Sequence, residues 1–358
     1  MRKIAVASLF CVIASLGAAA PGHASIGTGT FTKFHYGAAS DPFGRDYWVY
    51  QPKHIASPHV LVVYLHGCTQ TARDAAIGTG WDDLADKKGF IVAYPEQDAG
   101  TDSVDKTVRS AEGSANGTQC WNWFRPEDQS RGAGEPATIA GITRAVIASN
   151  RIDPRRVFIL GASAGADMST IMAVTYPDIY AAVGSVVGCS YASCGDPSGA
   201  IAFRTMGSRA RTMPAFIVDG EADELNPFLN SQGVVDEWLG VADLVDDGSM
   251  NDSVSRRPAS VTNHGVDPSA ISGLGQPRDP CLRNMEFPCL GGVLGFKGSY
   301  PYTVFDYDDA RGRSLVQFWL IHGLGHDYPH GDTNGTFTDP LGPDITSAAY
   351  QFFLAHHR

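Results

Sequence analysis

The chain has 358 residues, 43% of them hydrophobic, with 40 glycines and 21 prolines. That is enough apolar material for one large domain or two small ones, with a sizeable core and many loops. A formal net charge of −11 without a basic run argues against nucleic acid or an anionic membrane as the main partner, since both need clustered Lys and Arg.

At the N-terminus, Arg2 and Lys3 precede a short apolar run from Ile4 to Ala20, and Gly22-His23-Ala24 ends in small residues. This is the pattern of an export signal cut after Ala24. Residues 1–24 are therefore expected to be a signal peptide and 25–358 a single folded domain, secreted or periplasmic. The run is too short for a membrane anchor, and no stop-transfer segment follows it. A lipoprotein reading through Cys11 is weaker, because bulky Phe10 stands where a small residue is needed. Loss of Arg2 and Lys3 takes the mature charge to −13.

Without Cys11, six cysteines remain: Cys68, Cys120, Cys189, Cys194, Cys281 and Cys289. An even set in an oxidising compartment suggests three disulfides. Spacing ranks the pairings without settling them. Cys189/Cys194 and Cys281/Cys289 can close small local loops, which leaves Cys68 with Cys120. The rival role for Cys68 is a nucleophile beside His66, but residues two apart at a strand end point poorly at each other.

In chain order, Thr28–Tyr36 and Tyr47–Gln51 alternate as opening strands, and Val60–Leu65 is a continuous apolar run suited to a strand buried on both faces. Trp81–Lys88 reads as a helix stopped by Gly89, and Phe90–Tyr94 as the next strand. Pro136 suits a helix start, with Ala137–Ser149 following. Then come the strand Val157–Leu160, a helix from Ala166 to Tyr176, and the strands Ala181–Val187 and Pro214–Val218. The helix Gln232–Leu239, the strand Leu315–Ile321 and the closing helix Ile345–His356 complete the pattern. Alternating strands and helices predict an α/β fold, a mostly parallel sheet with helices on both faces. Right-handed crossovers then collect the strand C-terminal ends on one edge, where chemistry is expected.

Three groups fall at those ends. Gly161-Ala162-Ser163-Ala164-Gly165 sits between a strand and a helix, the setting of a nucleophile elbow; the competing reading is an ordinary Gly/Ser-rich turn. Val218-Asp219-Gly220-Glu221-Ala222-Asp223 offers two acids, and His322-Gly323-Leu324-Gly325-His326 offers two histidines. A serine hydroxyl needs a base within hydrogen-bond reach, and the base needs an acid to fix its tautomer. The order Ser, Asp, His supports that grouping. Asp219 lies nearer its strand end and Asp223 reaches further. His322 ends its strand, whereas His326 follows two glycines and can swing towards Ser163. His322, His326 and His330 also have metal-face spacing, but Gly323, Gly325 and Pro329 break any helix there, so no metal is expected. Asp332-Thr333-Asn334-Gly335 reads as a plain turn rather than a calcium loop. Backbone N–H groups after the buried strand, at Cys68 in His66-Gly67-Cys68-Thr69-Gln70, and at Ala164 are the candidate oxyanion donors.

His66-Gly67-Cys68-Thr69-Gln70, Gly117-Thr118-Gln119-Cys120-Trp121-Asn122-Trp123-Phe124, Gly134-Glu135-Pro136 and Asp153-Pro154-Arg155-Arg156-Val157 resemble the secreted polyhydroxybutyrate depolymerase/feruloyl esterase family. So does Tyr176-Pro177-Asp178, and the likeness covers roughly 28–239 and 300–356. The resemblance implies an α/β-hydrolase fold and a Ser163–Asp223–His326 triad without a cofactor. It points to Asp223 because the family has its acid deeper in that loop, and to His326 because it matches Gly-x-Gly-His. It also supports a Cys68–Cys120 bridge. The implied activity is ester hydrolysis through an acyl-enzyme, on polyhydroxyalkanoate-type polyester or its oligomers, with feruloyl or acetyl esters of plant polysaccharide as the alternative. A non-catalytic binding protein on the same fold is the alternative from another class, and the intact Ser, Asp and His count against it. A monomer is expected.

The chain departs from the family in three places. Asp219-Gly220 stands where the family has His-Gly. Asp327-Tyr328 stands where it has Ala-Trp, so Tyr328 keeps a ring for substrate and Asp327 could discourage anionic substrates. Residues 241–299 are longer than the family needs and are expected to be a surface insertion pinned by Cys281–Cys289, a passive loop more than a lid. Of Trp121 and Trp123 at most one is expected at the site. Trp121, Tyr328 and Gln70 are the candidate substrate contacts. A chain ending soon after its closing helix leaves no room for a separate polymer-binding module, which favours small esters, oligomers or a patch on the domain itself.

Overall fold

The computed structural model describes residues 26–38, 41–97, 118–265, 299–309 and 311–358. The expected signal peptide and the Cys281/Cys289 pair lie outside the described residues. Ten strands form one sheet in the order β1-β2-β4-β3-β5-β6-β7-β10-β9-β8. They are β1 (Thr30–Ala38), β2 (Asp41–Gln51), β3 (Leu61–Leu65), β4 (Ile91–Pro95), β5 (Val157–Ala162), β6 (Ala182–Val186), β7 (Ala215–Gly220), β8 (Ser260–His264), β9 (Tyr302–Asp308) and β10 (Ser314–Ile321). The middle of the sheet, from β4 to β10, is parallel. Antiparallel pairs close both edges.

Strand alternation splits the core in two. Leu61, Val63, Val157, Ile159 and Ile217 face one side, with residues of helices Gly134–Asn150, Ala164–Thr175 and Phe228–Asp247. Val62, Tyr64, Phe158, Leu160 and Phe216 face the other, with helices Ala72–Thr79, Trp81–Lys88 and Ile345–Ala355. Because both faces are covered, β3, β4, β5, β6 and β7 are buried along almost their whole length, which is why their sequences read as unbroken apolar runs.

The chain pairs β3 with β4, then returns across it to pair β5 on the opposite side. This reversal opens a crevice beyond the C-terminal ends of β3 and β5.

The structure corrects part of the expected insertion. The helix predicted over 232–239 runs from Phe228 to Asp247, and Ser260–His264 forms the edge strand β8 on β9. Residues 241–265 therefore belong largely to the domain. The structure also adds a helix, Ala72–Thr79. It begins with a reciprocal Thr71/Asp74 capping box, a signal present in the sequence.

Candidate active site

The turn at Ser163 is enforced by close packing. Ser163 has φ 55° and ψ −126°, a conformation costly for a residue with a side chain. A Cβ on Gly165 would lie 2.1 Å from the Leu65 carbonyl oxygen, and one on Gly161 would lie 2.4 Å from the Gly165 backbone. Only glycines let the elbow fold back on the end of β3. The Ser163 N–H donates to the Val186 carbonyl at 2.9 Å, which fixes the turn to β6.

His326 lies in the loop after β10, where Nε2 is 2.9 Å from Ser163 Oγ. Its Nδ1 lies 2.7 Å from Asp223 Oδ2. Asp223 Oδ1 in turn accepts the N–H groups of Leu225 and Asn226, both at 2.8 Å. The Asp223 carboxylate is fully enclosed, so His326 meets it without competition from water. Asp223 therefore fixes an Nδ1–H tautomer that leaves Nε2 free to accept from Ser163.

The other acid and histidine have different partners. Asp219 is buried on β7, where desolvation, and then the Asp223 charge, push its carboxyl well above the usual range. His322 holds Glu221 Oε2 through Nδ1 at 3.0 Å and Thr303 Oγ1 through Nε2 at 2.9 Å. Residues 332–335 form a turn in which the Asn334 N–H donates to Asp332 Oδ1 at 2.8 Å.

A cavity of about 300 Å³ opens over Ser163 and His326. Cys68 and Ala164 line it, and among the described residues neither backbone N–H has an acceptor. The first turn of a helix leaves such donors free, as at Ala164. The Cys68 loop is held from several sides. Cys68 is bonded to Cys120. Gln70 Oε1 accepts the Gly67 N–H at 2.8 Å, and Gln70 Nε2 donates to the Thr336 carbonyl at 2.7 Å. Gln70 thus lines the cavity while spending its amide on the loop. Buried His66 has its pKa lowered to about 4 by desolvation and is neutral. The Gln97 N–H donates to its Nε2 at 2.9 Å, so Nδ1 carries the proton and donates to the Gly67 carbonyl.

Of the expected substrate contacts, Gln70 and Tyr328 line the cavity and Trp121 does not. Trp121 is fully buried and its indole N–H donates to the His66 carbonyl at 3.0 Å; Trp123 lines the cavity in its place. Tyr328 borders the cavity, but its ring is buried and its hydroxyl pairs with Thr346 Oγ1 at 2.7 Å. A phenol that finds a partner inside turns its polar end away from any ligand. Glu135, quoted above only as part of a motif, accepts the Asn122 N–H at 2.8 Å and ties the Trp121 segment to helix Gly134–Asn150. Asp167 and Asn226 line the cavity unforeseen. The Cys189–Cys194 bridge forms as expected and borders the same cavity.

A strand–elbow–helix, a downstream acid and histidine, and a doubly covered parallel sheet together define an α/β-hydrolase with a Ser–His–Asp arrangement. Residues 46–261 match the esterase PHB depolymerase family, and the chain belongs to it. It is 32% identical over 271 residues to poly(3-hydroxyalkanoate) depolymerase C of Paucimonas lemoignei, covering 75% of this chain and 55% of that protein. It is 32% identical over 201 residues to a probable acetylxylan esterase A of Neosartorya fischeri, covering 54% of this chain and 50% of the relative. The chain thus spans about half the length of these relatives. Among solved structures, an acetyl xylan esterase from Aspergillus awamori superposes with TM-score 0.56 at 20% identity, over 82% of this chain and 94% of that one.

Proposed function

We propose that the protein is an exported serine esterase whose nucleophile is Ser163. The observation that carries this reading is the unbroken chain from Ser163 Oγ through His326 to Asp223, beside two N–H groups that have no acceptor among the described residues. Ser163 Oγ attacks the ester carbonyl as His326 Nε2 takes its proton. The Cys68 and Ala164 N–H groups receive the developing oxyanion. The tetrahedral intermediate collapses, His326 returns the proton to the leaving alcohol, and an acyl-enzyme remains. Water, deprotonated by the same histidine, releases the acid.

The leading substrate is polyhydroxyalkanoate-type polyester or its oligomers, because the depolymerase relative matches 75% of this chain. Acetyl or feruloyl esters of polysaccharide are the second reading, favoured by the acetylxylan esterase relative. Two disulfides suit an oxidising, extracellular setting, and no helix among the described residues is long and apolar enough to cross a membrane. A monomer remains part of the proposal.

Ser163→Ala is expected to abolish cleavage of 4-nitrophenyl esters to within about 10³–10⁴-fold of the uncatalysed rate. Wild-type rates in that variant would sink the mechanism. Clearing of polyester film, against acetate or ferulate release from model esters, separates the two substrate readings.

A further inference from the structure

Asp167 stands one helical turn beyond Ser163, on the same helix Ala164–Thr175, and its N–H donates to the Ser163 carbonyl at 3.1 Å. Its side chain is half-buried and lines the cavity that contains Ser163 and His326. One carboxyl oxygen, Oδ1, accepts the Cys189 N–H at 2.7 Å. That residue belongs to the Cys189–Cys194 disulfide on the same wall, so the carboxyl is anchored in place. The Cys189 N–H is the hydrogen bond seen to this carboxyl among the described residues. The triad and the oxyanion donors make no use of this group.

The surroundings are acidic. Asp74, from helix Ala72–Thr79, and Asp327, from the loop after β10, also line the cavity. Among the described lining residues there is no Lys or Arg, and His326 is the sole base. Asp223 lies behind His326, while Glu237 and Asp196 stand behind the Cys189–Cys194 turn. Among the described lining residues a carboxylate entering this cavity therefore meets like charge and no Lys or Arg.

We propose that Asp167 is a specificity-determining residue that admits neutral esters and rejects carboxylate-bearing ones. This rests on the esterase reading above. Desolvation raises the Asp167 carboxyl to about 7, against smaller opposing effects of the Cys189 N–H and His326. The rejection is therefore weak when Asp167 is protonated and strong once it ionises. For an oligomer of hydroxyacids, ester bonds within the chain are cut in preference to those beside the free carboxylate end, and a released acid is repelled from the cavity.

The test compares 4-nitrophenyl hexanoate with its ω-carboxylate analogue, 4-nitrophenyl hydrogen adipate, on the full-length mature enzyme. The quantity read is the ratio of kcat/KM for the anionic ester to that for the neutral one. The steps carried by Ser163 and His326 are common to both substrates and cancel in the ratio. In the wild type the ratio is expected to fall about five- to tenfold between about pH 6 and pH 8. Asp167→Asn keeps an acceptor for the Cys189 N–H and should make the ratio flat across that range. Asp327→Asn should retain the fall. A flat ratio in the wild type overturns the proposal, as does a fall that survives Asp167→Asn or vanishes in Asp327→Asn. Those results leave the esterase reading standing, whereas a wild-type enzyme that cleaves neither ester overturns both.

Discussion

At the scale of single residues, the acid question carries the sharpest prediction. Asp223 holds His326 in the required tautomer, while Asp219 is buried four residues earlier and makes no hydrogen bond to either histidine. Asp223→Asn is expected to lower kcat by about 10⁴-fold, because an amide can donate to Nδ1 and favour the wrong tautomer. Asp219→Asn replaces a carboxyl held neutral by an isosteric neutral group and should change kcat less than about tenfold. Steady-state kinetics on both variants check this; a large loss at Asp219 alone would reverse the assignment. Ser163 could be read from sequence because its neighbours must be small for the turn to exist. The choice between His322 and His326 needed the family pattern, since both follow a strand and only geometry separates a base from a structural partner of Glu221. Trp121 lies in the core, and Tyr328 borders the cavity with its hydroxyl turned inward, for a simple reason. Sequence specifies a ring, whereas burial and one internal hydrogen bond decide which way it faces.

At the scale of elements, the parallel strands were legible because burial on both faces leaves continuous apolar runs. Strand β9 lacks that mark, since only Thr303 and Tyr307 of its seven residues are buried and Thr303, Asp306 and Asp308 interrupt its apolar positions. Helix Ala72–Thr79 has three alanines and a glycine among its eight residues and leaves a weak periodic signal. The Cys68 loop joins element to function. Its disulfide closes a separation of 52 residues, which in the chain-entropy account stabilises the fold by about 4 kcal/mol. Joint replacement of Cys68 and Cys120 by alanine should lower the denaturant midpoint and cut kcat by up to about 10²-fold, with a smaller effect on KM. An unchanged kcat at reduced stability would mean that Gln70 and the His66 network alone hold the Cys68 N–H in position.

At the scale of the whole molecule, buried carboxyls set the response to pH. Desolvation raises Asp128 and Asp167 to about 7, and carries Asp82, Asp219 and Glu237 well above the ordinary carboxylate range. A carboxyl whose pKa is higher in the fold than in the unfolded chain stabilises fully below its unfolded value. That contribution is lost as pH rises through the folded value. His66 acts in the opposite sense but only below its unfolded pKa of 6.5, and Asp153, held low by Arg155, matters only near and below 3.8. Above about pH 6.5 the carboxyls therefore dominate, and Tm should fall, with up to about 1.4 kcal/mol lost per pH unit for each one still protonated. Calorimetry across that range would show it, and a Tm that rises instead would refute it.

The Ser163–His326 hydrogen bond joins positions 163 residues apart in the chain, and the Asp223–His326 bond joins positions 103 apart. The base follows β10, which is seated between β7 and β9. Hydrolytic power is therefore absent from any nascent or partly translocated stretch that lacks β10, however well its elbow has formed. For the exported esterase proposed above, this arrangement would act as a timer, keeping the nucleophile silent in the cell that makes it until the last strand has docked.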